Sequence, residues 1–275
     1  MTTIARLTDG RAGADPDRRR DARILLAHVL GRSSPAALDL RAAVSAEDEE
    51  AFLALWERRE KGEPVQYILG EWDFYGRTFR VDRRALVPRP ETEHLVEEAL
   101  REAPAPRRIL DLGCGSGILA VTLAAERPAA FVVAIDRSPA ALALARENVR
   151  SHGVSGRVAL AASDWLDAVG PSRFDLVVSN PPYVAAADRG ALPPPVRDFE
   201  PPEALFSAAD GLSDIRALLG AVPRVLGPGG RFLFEFGFGQ ADAVLRAASA
   251  RDEWEVARLV PDLAGIPRVC VLARR

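Results

Sequence analysis

Arg108-Ile109-Leu110-Asp111-Leu112-Gly113-Cys114-Gly115-Ser116-Gly117 runs from a short apolar strand into a turn that alternates glycine with small side chains. A helical pattern starts near Ile118. Strand, glycine turn and helix in that order open a βαβ unit, and the glycines let backbone approach a ligand closely. The spacing Gly113-x-Gly115-x-Gly117 is shorter than the dinucleotide G-x-G-x-x-G pattern, and it lacks the Lys-Ser/Thr end of a P-loop.

The alternation continues downstream. Phe131–Ile135 reads as a second strand ended by Asp136, and Ser138-Pro139 begins a helix to about Val149. Arg157–Leu160 is a third strand ending near Asp164-Trp165, and Arg173–Ser179 a fourth. Ile215–Leu226 is helical, Gly227–Gly230 a turn and Arg231–Phe236 a fifth strand. A helix around Ala241–Ala250 and strands near Trp254–Leu259 and Val269–Leu272 close the chain. Such alternation predicts an α/β protein with a parallel sheet and helices on both faces. Asp136, at the tip of the second strand, suits a pair of ribose hydroxyls, although a cap for the following helix is also open to it. Asp164 suits an exocyclic amine and Trp165 the face of a planar ring; ordinary core is the plainer reading of Trp165.

The fourth strand ends in Asn180-Pro181-Pro182-Tyr183. Two prolines cannot continue a ladder, so a carboxamide, freed carbonyls and an aromatic ring are left at the carboxyl end of a strand, where open α/β sheets bind ligands. A planar amide or aniline-like nitrogen is a poor nucleophile because its lone pair is delocalised. The Asn180 side-chain oxygen and the Pro181 carbonyl can each accept one of its N–H bonds, and Tyr183 can cover its plane. A proline-rich turn without chemistry is the alternative.

Composition sets bounds. A net charge of -3 provides no global basic field for nucleic acid. Cys114 and Cys270 lie too far apart for metal-ligand spacing and suggest no disulfide framework. The segment Met1–Arg6 lacks the apolar core of a signal peptide, and no apolar run is long enough to span a bilayer, so a cytoplasmic protein is expected.

Residues from about 17 to 61 read as helices. Ile24, Leu25, His28 and Val29 share one stripe, Gly31 offers a stop, Ser33-Ser34-Pro35 restarts a short helix, and Ser45–Asp48 resembles a capping box. Phe74–Val81 alternates around Gly76, which predicts a β-hairpin. Val87-Pro88-Arg89-Pro90-Glu91-Thr92-Glu93 is a constrained helix entry that also suits one wall of a site.

Asp111–Gly117 together with Asp136 resembles the S-adenosylmethionine site of class I methyltransferases. Asn180–Tyr183 narrows the resemblance to enzymes acting on planar nitrogens. Tyr67–Gly70, Phe74–Gly76, Phe79-x-Val81 and Val87–Glu93 resemble the HemK-type release factor glutamine methyltransferases. So do Phe199–Pro201 with Ala204-Leu205, Asp210–Leu212, Gly229-Gly230 and Asp262–Val269. The likeness covers nearly the whole chain. Phe199 stands where that family often has Tyr, Ser207–Ala209 replaces a glycine-rich turn, and Phe flanks Glu235 where aliphatic residues are common.

The resemblance implies a Rossmann-like class I methyltransferase sheet with a helical N-terminal substrate-docking domain (1–64), a β-hairpin connector (65–86) and a catalytic domain (87–275). It implies S-adenosylmethionine held by Asp111, Gly113, Cys114, Gly115, Ser116, Gly117, Asp136, Asp164, Trp165 and Asn180, with Asp111 near the charged methionine end and no metal. It implies catalysis by Asn180, Pro181, Pro182 and Tyr183 on the Gln of the Gly-Gly-Gln loop in class 1 peptide chain release factors. A monomer is expected, without direct contact to nucleic acid or membrane. The alternatives are an adenine-N6 or guanine-N2 methyltransferase on DNA or RNA, which calls for a basic docking face, and a cofactor-binding protein without catalysis.

Overall fold

The computed structural model describes residues 2–170, 173–208 and 210–275, so Met1 and Ala209 of the sequence reading lie outside it. The chain divides into two compact units, residues up to 71 with 193–199, and residues 72–192 with 200–275.

The first unit is helical. It contains α1 (Ile4–Ala12), α2 (Pro16–Val29), α3 (Ala46–Glu60) and α4 (Val65–Leu69). Its core joins Ile4, Leu7, Leu25, Leu26, Phe52, Trp56, Val65 and Ile68. Helix α1 was not legible as such; Thr3 caps it, and Ile4 and Leu7 carry it into the core. In α2 the buried stripe is Asp21, Ala22, Leu25 and Leu26, which leaves His28 exposed, one helical step from where periodicity set it. Asp21 is tolerated there because Arg59 donates to it at 2.7 Å. The Ser45 hydroxyl accepts from the Asp48 N–H at 3.0 Å and starts α3. Pro35–Ala37 forms one 3-10 turn. Residues 65–69, expected in the connector, are a helix whose Val65 and Ile68 belong to this core. The Phe199 ring lies so close to Gly62 that a Cβ there would meet it at 3.3 Å.

The second unit opens with a hairpin, β1 (Glu71–Phe74) and β2 (Arg77–Arg80). Tyr75 and Gly76 both have positive φ, as a two-residue hairpin turn requires. Then come α5 (Thr92–Glu102), β3 (Arg108–Leu112), α6 (Ile118–Glu126), β4 (Phe131–Asp136), α7 (Pro139–Ser151), β5 (Val158–Ala162) and β6 (Phe174–Ser179). Two short helices, α8 (Pro194–Phe199, in the first unit) and α9 (Pro202–Leu205), follow. The chain ends with α10 (Ser213–Ala221), β7 (Leu226–Glu235), α11 (Ala241–Ser249), β8 (Trp254–Pro261) and β9 (Pro267–Arg274).

The seven strands are ordered β5-β4-β3-β6-β7-β9-β8. The first five are parallel; β9 pairs antiparallel with β7, and β8, joined to β9 by a short turn, pairs antiparallel with β9 at the edge. Both faces are covered, which accounts for strands apolar at nearly every position. Ile109, Val132, Val178 and Leu233 face α5, α6 and α7; Leu110, Val177, Phe232 and Phe234 face α10 and α11. The expected turn at Gly227–Gly230 lies within β7 as an irregularity. Leu226 pairs with Phe174, and pairing with β6 resumes at Leu176 and Arg231.

Asn148 of α7 fastens the hairpin to the glycine turn. Its side chain accepts from the Arg80 N–H at 2.8 Å and donates to the carbonyls of Arg80 (3.0 Å) and Ser116 (2.8 Å), all fully buried from solvent at Asn148 itself. Asn148→Ala would strand these backbone groups. We expect it to lower the free energy of unfolding by about 2–3 kcal/mol in urea denaturation, more than an exposed Asn would.

Candidate active site

The strand order reverses between β3 and β6, and their tips lie side by side. Leu112 pairs with Ser179, whose hydroxyl donates to the Leu112 carbonyl at 2.8 Å. The glycine loop leaves the first tip and Asn180 leaves the second. One cavity lies along this edge. It is lined by Gly113, Cys114, Gly115 and Ser116, by Asp136, by Asp164 and Trp165, and by Asn180 and Pro182. Asp111, Gly117, Pro181 and Tyr183 are not among its lining residues.

The loop glycines have φ of 73° at Gly113, 54° at Gly115 and 82° at Gly117, the left-handed region that disfavours side chains. Gly117 acts behind the cavity: a Cβ there would sit 3.2 Å from Ala145, so it sets the close approach of α6 to α7. Asp136 accepts from Gly115 N–H and Ser138 N–H, each at 2.8 Å, and so holds both the loop and the start of α7. Trp165 adopts φ 44°, unusual for a large side chain. Its indole donates to Asp214 at 3.1 Å, and its ring edge would touch a Cβ on Gly113 at 3.4 Å. Asp164 is exposed at the cavity margin.

Asp111 is fully buried on the α6 side of β3. One oxygen accepts from Ala120 N–H at 3.0 Å, and the other has no hydrogen-bond partner. Burial, opposed by that one bond and aided by Asp136, pushes its carboxyl up to about 7. An orphaned carboxylate oxygen behind a cradle of glycines fits a cationic, nucleoside-bearing ligand. Among the described residues no group of His, Cys, Asp and Glu is arranged to hold a metal ion.

Asn180 donates through Nδ2 to the Thr92 hydroxyl at 3.1 Å. Thr92 Oγ1 donates to Glu235 at 2.7 Å, and the Tyr183 hydroxyl donates to the other Glu235 oxygen at 3.0 Å. Glu235 is buried, which raises its carboxyl above the usual range. The bonds from Thr92 and Tyr183 and the charge of Arg268 pull it down, while Glu91 pushes it further up. Burial and the neighbouring Glu235 likewise hold the Tyr183 phenol well above its ordinary range. From sequence, Thr92 belongs only to a stretch that suits one wall of a site, and Glu235 has no role. The available signal was an acid in the middle of Phe232-Leu233-Phe234-Glu235-Phe236, a run otherwise buried.

A second set of contacts holds the surroundings. Glu200 accepts from Arg89 at 2.6 Å and from Val87 N–H at 3.2 Å, and Val87, Pro88, Arg89 and Thr92 line the cavity. Gln240 donates to the Tyr183 carbonyl at 2.9 Å and accepts from Gly237 N–H at 2.8 Å. A Cβ on Gly211, whose φ is 73°, would overlap the Tyr183 carbonyl.

Residues 91–191 match the family model described as the methyltransferase small domain. A methyltransferase from Pyrococcus furiosus superposes with a TM-score of 0.54 at 17% identity, over 73% of this chain and 90% of that one. A ribosomal protein L11 methylase from Lactobacillus delbrueckii subsp. bulgaricus superposes with a TM-score of 0.51 at 21% identity, over 68% and 80%. The fold is that of the class I methyltransferases. Residues 6–70 match the PrmC N-terminal domain. Release factor glutamine methyltransferases from Cereibacter sphaeroides and Nitratidesulfovibrio vulgaris are 48% and 42% identical. Each match covers 94% of this chain, and 91% and 88% of those relatives. The chain belongs to the release factor glutamine methyltransferase family.

Cys114 and Cys270 are both free and buried, and burial pushes both thiols up, Cys270 to about 12. Neither is a ready nucleophile. We expect no reaction with a thiol-specific disulfide reagent in the native protein near pH 8, and release of both thiols in guanidinium.

Proposed function

We propose that this chain transfers the methyl group of S-adenosylmethionine to the side-chain nitrogen, N5, of the glutamine in the Gly-Gly-Gln loop of class 1 peptide chain release factors. Gly113, Cys114, Gly115 and Ser116 would cradle the cofactor, with Gly117 starting the helix behind them. Asp136 would take the ribose hydroxyls, Asp164 the exocyclic amine and Trp165 the adenine face, while Asp111 would stabilise the charged methionine end. When bound, the cofactor supplies a methyl carbon made electrophilic by its sulfonium.

The protein's own residues act on the nucleophile. The Asn180 side-chain oxygen and the Pro181 carbonyl each accept one N–H of the glutamine amide, which fixes its plane and draws density onto nitrogen. Pro182 ends the strand so that these acceptors stay free of the ladder. Tyr183 lies against the amide plane. Once methylated, the nitrogen has lost its resonance and sheds a proton readily, so no strong base is required beforehand. Positioning then supplies most of the acceleration; well-oriented reactants save ~7–11 kcal/mol.

The observation that supports this reading best is the cavity shared by Asn180 and the glycine loop, in which Asn180 spends its N–H on Thr92 and keeps its oxygen for a donor. The helical unit would dock another part of the release factor. The reading also has the enzyme working as a cytoplasmic monomer without metal, membrane or nucleic acid. Among the described residues no helix is long and apolar enough to cross a membrane.

Tritiated S-adenosylmethionine offered with purified release factor, DNA and RNA tests the substrate. We expect label on the factor's glutamine alone, and Asn180→Ala should reduce it by at least about 100-fold, the cost of losing an orienting hydrogen bond of ~3 kcal/mol. Label on nucleic acid alone would overturn the assignment. The cofactor site makes a separate prediction. A cation in the cavity, reaching Asp111 through water, needs the carboxylate, and in the free protein that group holds its proton up to about pH 7. Cofactor affinity should therefore rise as pH climbs through about 7, as followed by calorimetry, and Asp111→Asn should remove that component of the slope.

A further inference from the structure

Asn180 reads as an acceptor only if its carboxamide is turned one way. The two ends of that group have nearly the same shape, so packing alone does not choose between them. Turned the other way, Asn180 would present N–H bonds to a nitrogen that also bears N–H bonds, and the grip would become a repulsion. Something must set the rotamer.

The hydrogen-bond order around Thr92 sets it. Thr92 is the first residue of α5 and fully buried. A hydroxyl has one proton to donate. Glu235 stands at the end of β7 on the face that carries α5. Since Ser179 pairs with Phe234, the next residues along the two strands are Asn180 and Glu235. The carboxyl of Glu235 receives a hydroxyl on each oxygen, Thr92 at 2.7 Å and Tyr183 at 3.0 Å. Two donors, one per oxygen, suit the ionised carboxylate, which can only accept. Arg268 lends it positive charge against the nearby Glu91. With its proton committed to Glu235, Thr92 can only accept from Asn180, so the side chain of Asn180 must turn Nδ2 toward it, as the 3.1 Å contact shows. The Asn180 oxygen is then left to face the other way.

We propose that Thr92 and Glu235 form a positioning relay that fixes the direction of the Asn180 carboxamide and, through the second Glu235 oxygen, holds Tyr183 in place. Both act through Asn180 and Tyr183 rather than on the reacting atoms. Glu235 orders two of the four strand-tip residues at once, one through the Thr92 hydroxyl and one directly. The inference rests on the reading of Asn180 as acceptor for the substrate nitrogen.

The test uses the whole enzyme with release factor and S-adenosylmethionine. Thr92→Val keeps the shape and removes the hydroxyl; Thr92→Ser keeps the hydroxyl. We expect Thr92→Val to lose about 10- to 100-fold in kcat, the cost of a slightly misdirected contact. The melting temperature should fall, because Glu235 and Asn180 each lose a buried partner, while the cofactor Kd should stay near that of the wild type and KM for the release factor should move less than kcat. Thr92→Ser should recover most of the rate. A Thr92→Val enzyme with wild-type kcat would overturn the proposal. So would a loss that Ser does not rescue, or one that disappears when the assay is run at saturating cofactor well below the melting temperature of the variant. Should Thr92→Val fail to fold, the wild type itself decides by NMR. A nuclear Overhauser contact from the Asn180 side-chain N–H protons to the Thr92 methyl is expected, and N–H protons facing solvent instead would refute the relay. Failure of the wild type to label release factor would count against the substrate reading, whereas the NMR contact tests the relay whatever the substrate.

Discussion

The Ser179 hydroxyl, bonded to the Leu112 carbonyl at 2.8 Å, ties together two strand tips that are 67 residues apart in sequence. Everything at the cavity depends on that adjacency. The chain runs from β3 outward through β4 to β5, then returns across β3 to lay down β6 on its other side. A parallel sheet built in this order leaves a crevice where the direction of winding changes, because the connections from the two strands depart to opposite faces. The glycine loop and Asn180 are the two lips of that crevice.

Much of what surrounds the crevice exists to hold backbone. Glu200 grips the Arg89 side chain and the Val87 N–H, and so fixes one wall. Gln240 bridges the Tyr183 carbonyl to the Gly237 N–H, while Gly211 leaves room for that same carbonyl. The stretches around Glu200, Gly211 and Gly237 are therefore explained by close packing against the wall and the strand tip. None of them requires a chemical role.

Three buried carboxylates show how different compensation makes different tools. Burial drives the affinity for protons upward at Asp111, Glu200 and Glu235 alike. Glu200 is offset by a guanidinium at 2.6 Å, which makes it a strut. Glu235 is offset by two hydroxyls, which makes it an organiser of hydrogen-bond direction. Asp111 has a single backbone N–H and an orphaned oxygen, so it remains the one of the three with an unmet demand for positive charge or a donor.

The parallel strands, the glycine turn after Leu112 and the end of β6 at Pro181-Pro182 were legible from sequence, because each depends on chain stiffness and on apolar patterning over a few residues. The hairpin at Tyr75-Gly76 and the cap at Ser45 were legible for the same reason. Helix α1 and the true buried stripe of α2 were not, since which residues face inward was settled by the partners Phe52 and Trp56. Nor was the helix at 65–69. The roles open to Thr92 and Glu235 were hidden most completely. Thr92 reads as one more residue in a helix entry, and Glu235 as an oddity in an apolar strand. Only the packing of α5 on β7 in the folded sheet puts them within 3 Å of one another, 143 residues apart in the chain. Local stereochemistry determined where this chain turns and what it can present there; the long-range pairing of β3, β6 and β7 decided which of those groups meet, because hydrogen bonds act over a few ångströms and only the folded sheet brings distant residues that close.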